Sequence, residues 1–420
     1  MLLVSEMKKI TIDHICKIYG HANLAIKVDG KKVQKAELEI FESSRYFESI
    51  VKGRSYEEAP ELTSRICGIC STAHQMASLK AMEHALNIEP SSQTKKLREV
   101  LHMGGIIQSH VFHLYFLALP DYLGYDSAIQ MSKKHGKKLK EALSLRKVGN
   151  DIITIIGGRP VHPISCRIGG FDKLPNQDDI NKLVKSLKEK RKIALKTIEL
   201  MKGFLKKEFE RKTEVVALKN KDHSFIDGVV STREKEIEED YRRYIKEYRG
   251  EPKKTTTIEG KSYRVGPLAR FTINGSPVRK YDKIKLSLDS PFSSNFIRAV
   301  EILYCIDRSI EILENIKIKK EAPREKKRLK NVNEGFAAVE APRGVLFHHY
   351  RFNRHGRVNR ANIITPTAQN LRSIEDDVKV FLPRILKKKK KDVVLELEKL
   401  IRAYDPCISC STHFLEVRWL

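Results

Sequence analysis

The stretch SRICGICSTAH, residues 64–74, places two cysteines three apart and a histidine four residues beyond them. A similar arrangement, with the histidine three residues beyond the second cysteine, returns at the far end of the chain as DPCISCSTH, residues 405–413. Each Cys-x-x-Cys pair can grip one metal ion. Four thiolates form a soft ligand set that suits zinc, an iron–sulfur cluster or nickel. A structural zinc ribbon normally brings its pairs within about 15–20 residues of each other. Here nearly the whole chain lies between them, and a chain this long can build its own core without such a staple. A disulfide-exchange motif needs one pair in a compact βαβ setting, and no such setting is visible.

The 420 residues contain seven cysteines, an odd number, and the N-terminal MLLVSEMKKITIDH lacks the apolar stretch and cleavage signal of a secretory leader. Both features argue for a reducing, cytoplasmic setting rather than a disulfide framework. Met7 competes with Met1 as the start. No apolar run is long enough to span a bilayer. The formal charge of +27 raises nucleic-acid binding as a possibility. Its distribution argues against that. The lysines form helical faces at 185–192, 319–330 and 386–391, without interleaved aromatics for stacking on bases. A solvated surface explains them, with a docking face for an acidic partner as the alternative.

Residues 8–40 alternate as strands around an Asp29-Gly30 turn. From Ser71 the period becomes helical, and Ser91 offers a cap for a long apolar helix that Pro120 ends. Further helices are expected at 138–156, 179–209, 293–316 and through 367–403, and strands between 334 and 365. Residues 212–290 carry little pattern. The expected fold is α+β, mainly α: a central bundle of long helices with short peripheral β units. Residues 1–413 read as one integrated domain, with a short tail at 414–420.

Taken together, RICGIC and DPCISCSTH resemble the first and last signatures of the large subunit of nickel–iron hydrogenases. GRSYEEAPELTSR (53–65), SHVFHLYFLALPDY (109–122), EAPRG (340–344) and ITPTAQN (364–370) follow in that family's order, so the resemblance covers essentially the whole chain. The short tail and the wording DPCISCS look most like the α subunits of soluble, NAD(P)-linked or sulfur-reducing members. The resemblance implies reversible heterolytic cleavage of dihydrogen at a nickel–iron centre whose iron carries carbon monoxide and cyanide.

By that resemblance Cys67 and Cys407 are terminal nickel ligands, and Cys70 and Cys410 bridge nickel and iron. Cys407, Arg343 and His74 take the catalytic roles. Arg343, Pro342, Thr367 and Asp405 line the cofactor pocket, with Thr367 bonding a cyanide and Asp405 anchoring the arginine. Glu48, His413 and the Ile363 carbonyl correspond to a buried magnesium site. His110 and His113 read as core residues.

Two departures stand out. Where the family has an Arg-x-Glu-Gly-His-like element whose glutamate relays protons, this chain reads KIYGH, with Lys17 and Tyr19 in those places. Tyrosine, with a reference pKa near 10, is a poor relay at neutral pH. Ser109 replaces an aspartate common in membrane-linked members. The tail after His413 corresponds to a segment that many relatives remove on maturation, and either removal or retention is open. The chain has no cysteines for an iron–sulfur relay and no GxGxxG fingerprint. Electrons therefore have to leave through a partner iron–sulfur subunit, with flavin/iron–sulfur diaphorase-type subunits beyond it. The rival reading is a hydrogenase-derived, complex I-like module, which typically lacks the four cysteines.

Overall fold

The computed structural model describes residues 8–13, 15–30, 32–40, 46–205, 209–237, 241, 244–249, 254–321 and 333–411. The tail and His413 lie outside them. Four long helices make the centre: Ser92–Phe112, Ala128–Gly157, Gln177–Lys202 and Ser293–Glu314. Ser92–Phe112 packs on both Ala128–Gly157 and Ser293–Glu314, and Gln177–Lys202 closes against Ser293–Glu314. Their starts are set by the sequence. Ser91, Ser127 and Asn176 each accept a hydrogen bond from the backbone N–H three residues on, at 3.0, 3.2 and 2.8 Å.

Two antiparallel three-stranded sheets flank the bundle. One runs Lys8–Ile12, Ala22–Asp29, Lys32–Ile40, and its last strand rests on the helix Pro366–Ile385. The other is a meander of Glu334–Ala341, Gly344–Phe352 and Val358–Ile364 that covers the helix Ser71–Leu86. That helix is buried along most of its length, so it faces protein on several sides rather than showing one apolar stripe. Among the described residues, the weakly patterned segment 212–290 folds as short strand pairs, the α-helix Pro267–Asn274 and a 3₁₀ turn, Arg279–Tyr281. The long apolar helix differs from expectation at its end. After Phe112 it widens into a π-turn, His113–Ala118, which shifts the facing of His113.

The two ends of the chain are joined beside the cysteines. Tyr19 forms a parallel bridge to Cys407, with Ile408 N–H donating to the Tyr19 carbonyl at 2.7 Å. Asp121 receives both Lys17 and Arg402, and Arg402 Nη1 also donates to the Cys16 carbonyl at 2.6 Å. Asp121 and Arg402 are both buried. Removing the carboxylate leaves Lys17 without its ion-pair partner and Arg402 with Glu398 alone, and breaking a buried pair typically costs about 3–5 kcal/mol. Asp121→Ala is therefore expected to lose about that much stability in thermal or denaturant unfolding of the full chain. A loss below about 1 kcal/mol, the range of exposed pairs, would mean that this joint does not hold the ends together.

Candidate metal centre

Cys67 lies in the turn after the short helix Ala59–Ser64, and Cys70 is the residue that opens Ser71–Leu86. Cys407 follows Asp405, whose φ of 54° puts it in the left-handed region that Asp tolerates better than most residues. Cys410 sits on the short helix Ile408–Ser411. All four thiols are buried. Cys67 Sγ is 3.7 Å from Cys407 Sγ, Cys70 Sγ is 3.5 Å from Cys410 Sγ, and Cys407 and Cys410 are 2.8 Å apart. The two pairs, one from each end of the chain, thus interleave in one pocket. Hydrogen bonds from Cys407, then Cys410 and Cys70, pull the Cys67 thiol below its usual range. Cys410, donating to its neighbours in a buried place, is pushed well above it. So many thiols at such spacing do not ionise together unless a multivalent cation offsets their charge.

Above the thiols lies Arg343. Its Nε donates to the Asp405 carbonyl at 2.6 Å and its Nη2 to Asp405 Oδ1 at 3.3 Å. Its Nη1 is buried without a hydrogen-bond partner among the described residues. Burial acts to raise the Asp405 pKa, but the charges of Arg343 and then His113 hold it at about 2. His113 Nδ1 is 3.0 Å from Asp405 Oδ1. His113 is buried in the core, as expected, and its ring also faces Asn295 through Nε2 at 3.1 Å. Thr367 Oγ1 accepts the Cys407 N–H at 3.0 Å, which keeps its own O–H available to donate. Pro342 is buried in the same turn.

The EAPRG turn is held from below by Arg270, a residue that no motif in the sequence singles out. Its guanidinium forks onto Glu301 at 2.7 and 2.8 Å. It also reaches Glu340 Oε2 at 2.7 Å and the Ala341 and Pro342 carbonyls at 3.1 and 3.2 Å. Glu301 in turn takes His110 Nε2 at 2.7 Å. Gly266 and Gly344 let two backbones close over this turn. A Cβ on Gly266, at φ +115°, would meet the Arg343 carbonyl at 2.8 Å.

His74 is buried and its ring lies within 4.8 Å of the Cys70 and Cys410 thiols. Its Nδ1 is 3.1 Å from His348 Nε2, His348 Nδ1 is 2.7 Å from the Tyr350 hydroxyl, and Tyr350 donates to Ser78 Oγ at 3.1 Å. That bonding pattern sets the tautomers. His348 Nδ1–H donates to Tyr350, His74 Nδ1–H donates to His348, and His74 Nε2 carries the basic lone pair. Tyr19 packs its ring under Arg343, 4.5 Å from the guanidinium carbon, and its hydroxyl has no hydrogen-bond partner among the described residues. Burial pushes the Tyr19 pKa well up, against the pull of Arg343. Ser109 is buried nearby in sequence on the Ser92–Phe112 helix, its hydroxyl likewise unpartnered.

Of the expected magnesium ligands, Glu48 and the Ile363 carbonyl come together, with Lys254 Nζ 3.1 Å from each. His413 lies outside the described residues.

A buried thiol quartet beside Arg343, whose Nη1 has no acceptor among the described residues, on a long-helix bundle with two small sheets, is the arrangement of a thiolate-bound metal site. The sequence comparisons agree. The nickel-dependent hydrogenase family pattern matches residues 45–151 and 231–413. Sulfhydrogenase 1 subunit alpha of Pyrococcus furiosus is 35% identical, over 97% of this chain and 98% of that protein. Sulfhydrogenase 2 subunit alpha of the same organism is 34% identical over 97% and 100%. Among solved structures, an NAD+-reducing [NiFe]-hydrogenase in the H2-reduced state superposes with a TM-score of 0.84 at 24% identity, covering 97% of this chain and 99% of that one. The Ni-Fe-Se hydrogenase of D. vulgaris Hildenborough gives 0.82 at 22%, covering 97% and 100%. The chain belongs to the nickel-dependent hydrogenase family, as a catalytic large subunit of the nickel–iron type.

Cys410→Ser is expected to lose nickel while keeping most of the helical signal, because the thiols occupy one edge of an apolar core that does not need them. Nickel analysis and circular dichroism on the same sample test this. Full nickel occupancy in the variant would remove Cys410 from the ligand set.

Proposed function

We propose that this subunit holds a nickel–iron centre whose iron carries carbon monoxide and cyanide, and that it cycles dihydrogen against protons and electrons. Cys67 and Cys407 are the terminal nickel ligands in this reading, and Cys70 and Cys410 the bridging ones. The observation that carries it is the pocket itself: four buried thiols beneath an Arg343 Nη1 that has no acceptor among the described residues. A donor left unpaired in a dry site is costly unless a bound group accepts from it, and an anionic cyanide is such a group. The Thr367 hydroxyl offers a second donor from the opposite wall. When bound, the metal pair supplies the acceptor for the electrons of dihydrogen. The chain supplies the rest. Cys407 Sγ receives the proton, Arg343 and Asp405 fix the electrostatics above it, and His74 orders the bridging side. Burial excludes water throughout.

Electrons leave through an iron–sulfur small subunit and then diaphorase-type subunits toward NAD(P) or sulfur, in a cytoplasmic complex. The support is the likeness to proteins named sulfhydrogenase and NAD+-reducing hydrogenase. None of the described helices is long and apolar enough to cross a membrane. Residues 1–413 act as one domain. The lysine-rich surface remains a solvated face in this reading.

Metal analysis of the purified complex tests the centre, with one nickel per chain expected. Arg343→Lys is expected to keep nickel but lower hydrogen oxidation by about 100-fold or more. It keeps the charge but loses the planar fork of donors, and losing one preorganised donor costs about 10²–10³ in rate. Turnover equal to wild type would sink the role given to Arg343.

The proton route follows from Tyr19. A phenol whose pKa is raised by burial cannot cycle its proton near neutral pH. The paired imidazoles of His74 and His348 support a proton route that starts on the bridging side instead. Tyr19→Phe is thus expected to change hydrogen turnover less than about threefold, with no new inflection between pH 6 and 9. An orders-of-magnitude loss at unchanged nickel content would make the phenol part of the route.

A further inference from the structure

The helix Ser293–Glu314 buries three large polar side chains, Asn295, Arg298 and Glu301, spaced three residues apart along one face. Buried charges are costly unless they are paired and hydrogen-bonded, and here the bonds lead toward the metal pocket. Asn295 Oδ1 lies 3.1 Å from His113 Nε2, and His113 Nδ1 is 3.0 Å from Asp405 Oδ1. Arg298 Nη1 donates to the same Asn295 oxygen at 2.9 Å. It also donates at 2.9 Å to the carbonyl of Ala403, two residues before Asp405. Glu301 takes the fork of Arg270, and Arg270 reaches on to Glu340 and to the Ala341 and Pro342 carbonyls. Burial pulls the Arg298 pKa down to about 10. Burial acts to raise the Glu301 pKa, but Arg270 holds it at about 2. Both side chains are therefore charged at neutral pH.

We propose that Asn295, Arg298 and Glu301 are positioning residues for the metal centre, one helix face that sets the 340–344 turn and the 403–405 turn against each other. The two turns come from different parts of the chain and meet through Arg343, whose Nε and Nη2 reach the Asp405 carbonyl and Oδ1. A functional site needs its groups held within a fraction of an ångström by side chains that are themselves locked. Glu301 holds the first turn through Arg270. Arg298 holds the second directly, and Asn295 holds it through His113. The helix that carries all three is packed against Ser92–Phe112 and Gln177–Lys202, so both turns rest on the rigid centre of the bundle. Stability alone does not account for the stripe. Apolar side chains of like volume would pack this face about as well, because a buried ion pair adds little net stability. The effect on the centre rests on the nickel–iron reading, whereas the placing of the two turns belongs to the chain itself.

The test has two arms. In the nickel-free full chain, hydrogen–deuterium exchange is followed by mass spectrometry over 338–345 and 402–408, where the Glu340 and Asp405 N–H groups are hydrogen-bonded. Glu301→Gln is expected to speed exchange over 338–345, and Arg298→Met over 402–408, by about tenfold, the weight of one lost bond to a charged group. Arg298→Lys keeps the charge and is expected to fall between wild type and Arg298→Met. Ile302→Val, buried on the same helix, is the control. It is expected to melt lower without changing exchange at either turn. In the nickel-loaded complex, Glu301→Gln and Arg298→Lys are expected to shift the infrared bands of the cyanide ligands, and Ile302→Val to leave them in place. Exchange at both turns no faster than in Ile302→Val overturns the proposal. So do cyanide bands at their wild-type positions in both polar variants. If Arg298→Met does not fold, Glu301→Gln and Arg298→Lys carry both arms. A wild-type complex without nickel would refute the proposed function, and the exchange arm would still decide this one.

Discussion

Four thiols drawn from opposite ends of the chain have to meet where there is no water. Cys67 and Cys407 are 340 residues apart in sequence and in contact in space. Closing so large a loop is opposed by chain entropy, though only weakly with length. The structure meets that cost with backbone pairing and buried ion pairs rather than with the thiols themselves. Tyr19 bridges to Cys407, and the Lys17–Asp121–Arg402 contacts clamp the N-terminal segment onto the last long helix. These contacts fix the backbone that carries the thiols, the kind of support a preorganised site requires.

A second constraint follows from the first. A dry pocket of acidic groups needs fixed positive charge, and every buried charge needs its own partner. The result is nested ion pairs. Arg343 leans on Asp405, which leans on His113. Arg270 grips Glu301 and Glu340. Each guanidinium also ties down backbone carbonyls, so the charges that tune the site shape the turns that carry it. This couples electrostatics to position: moving Arg343 means moving the 340–344 turn, and that turn is fixed by Arg270 beneath it.

How much of this could be read from the sequence depended on whether a residue's role was local. The capped helices at Ser91, Ser127 and Asn176 and the strands around 334–364 follow from short-range pattern. The cysteines, Arg343 and Thr367 were legible through motifs. The contact of His113 with Asp405 was not, because the facing of His113 follows a π-turn that no periodicity announces. Arg270 sits in PLARFTIN, where nothing distinguishes it from a surface arginine. Lys254 is one of many lysines in a chain of charge +27, and only its carboxylate and carbonyl neighbours set it apart. Residues that act through distant partners carry little local signal.

The change from glutamate to tyrosine at position 19 fits the same logic. A carboxylate beside buried thiolates would have to be desolvated near like charges, which raises its pKa and makes its ionised form expensive. A phenol is neutral there at no such cost, and its ring gives Arg343 an aromatic face to lie on. What the exchange loses is a group able to pass protons on the terminal-thiol side. On the opposite side, His74 already stands against the bridging thiols and is hydrogen-bonded to a second histidine. Imidazole is the side chain whose ordinary pKa suits proton transfer near neutrality. In the proposed function the two features are complementary: Tyr19 gives the arginine an aromatic face to lie on, and the paired histidines give the proton a route on the other side.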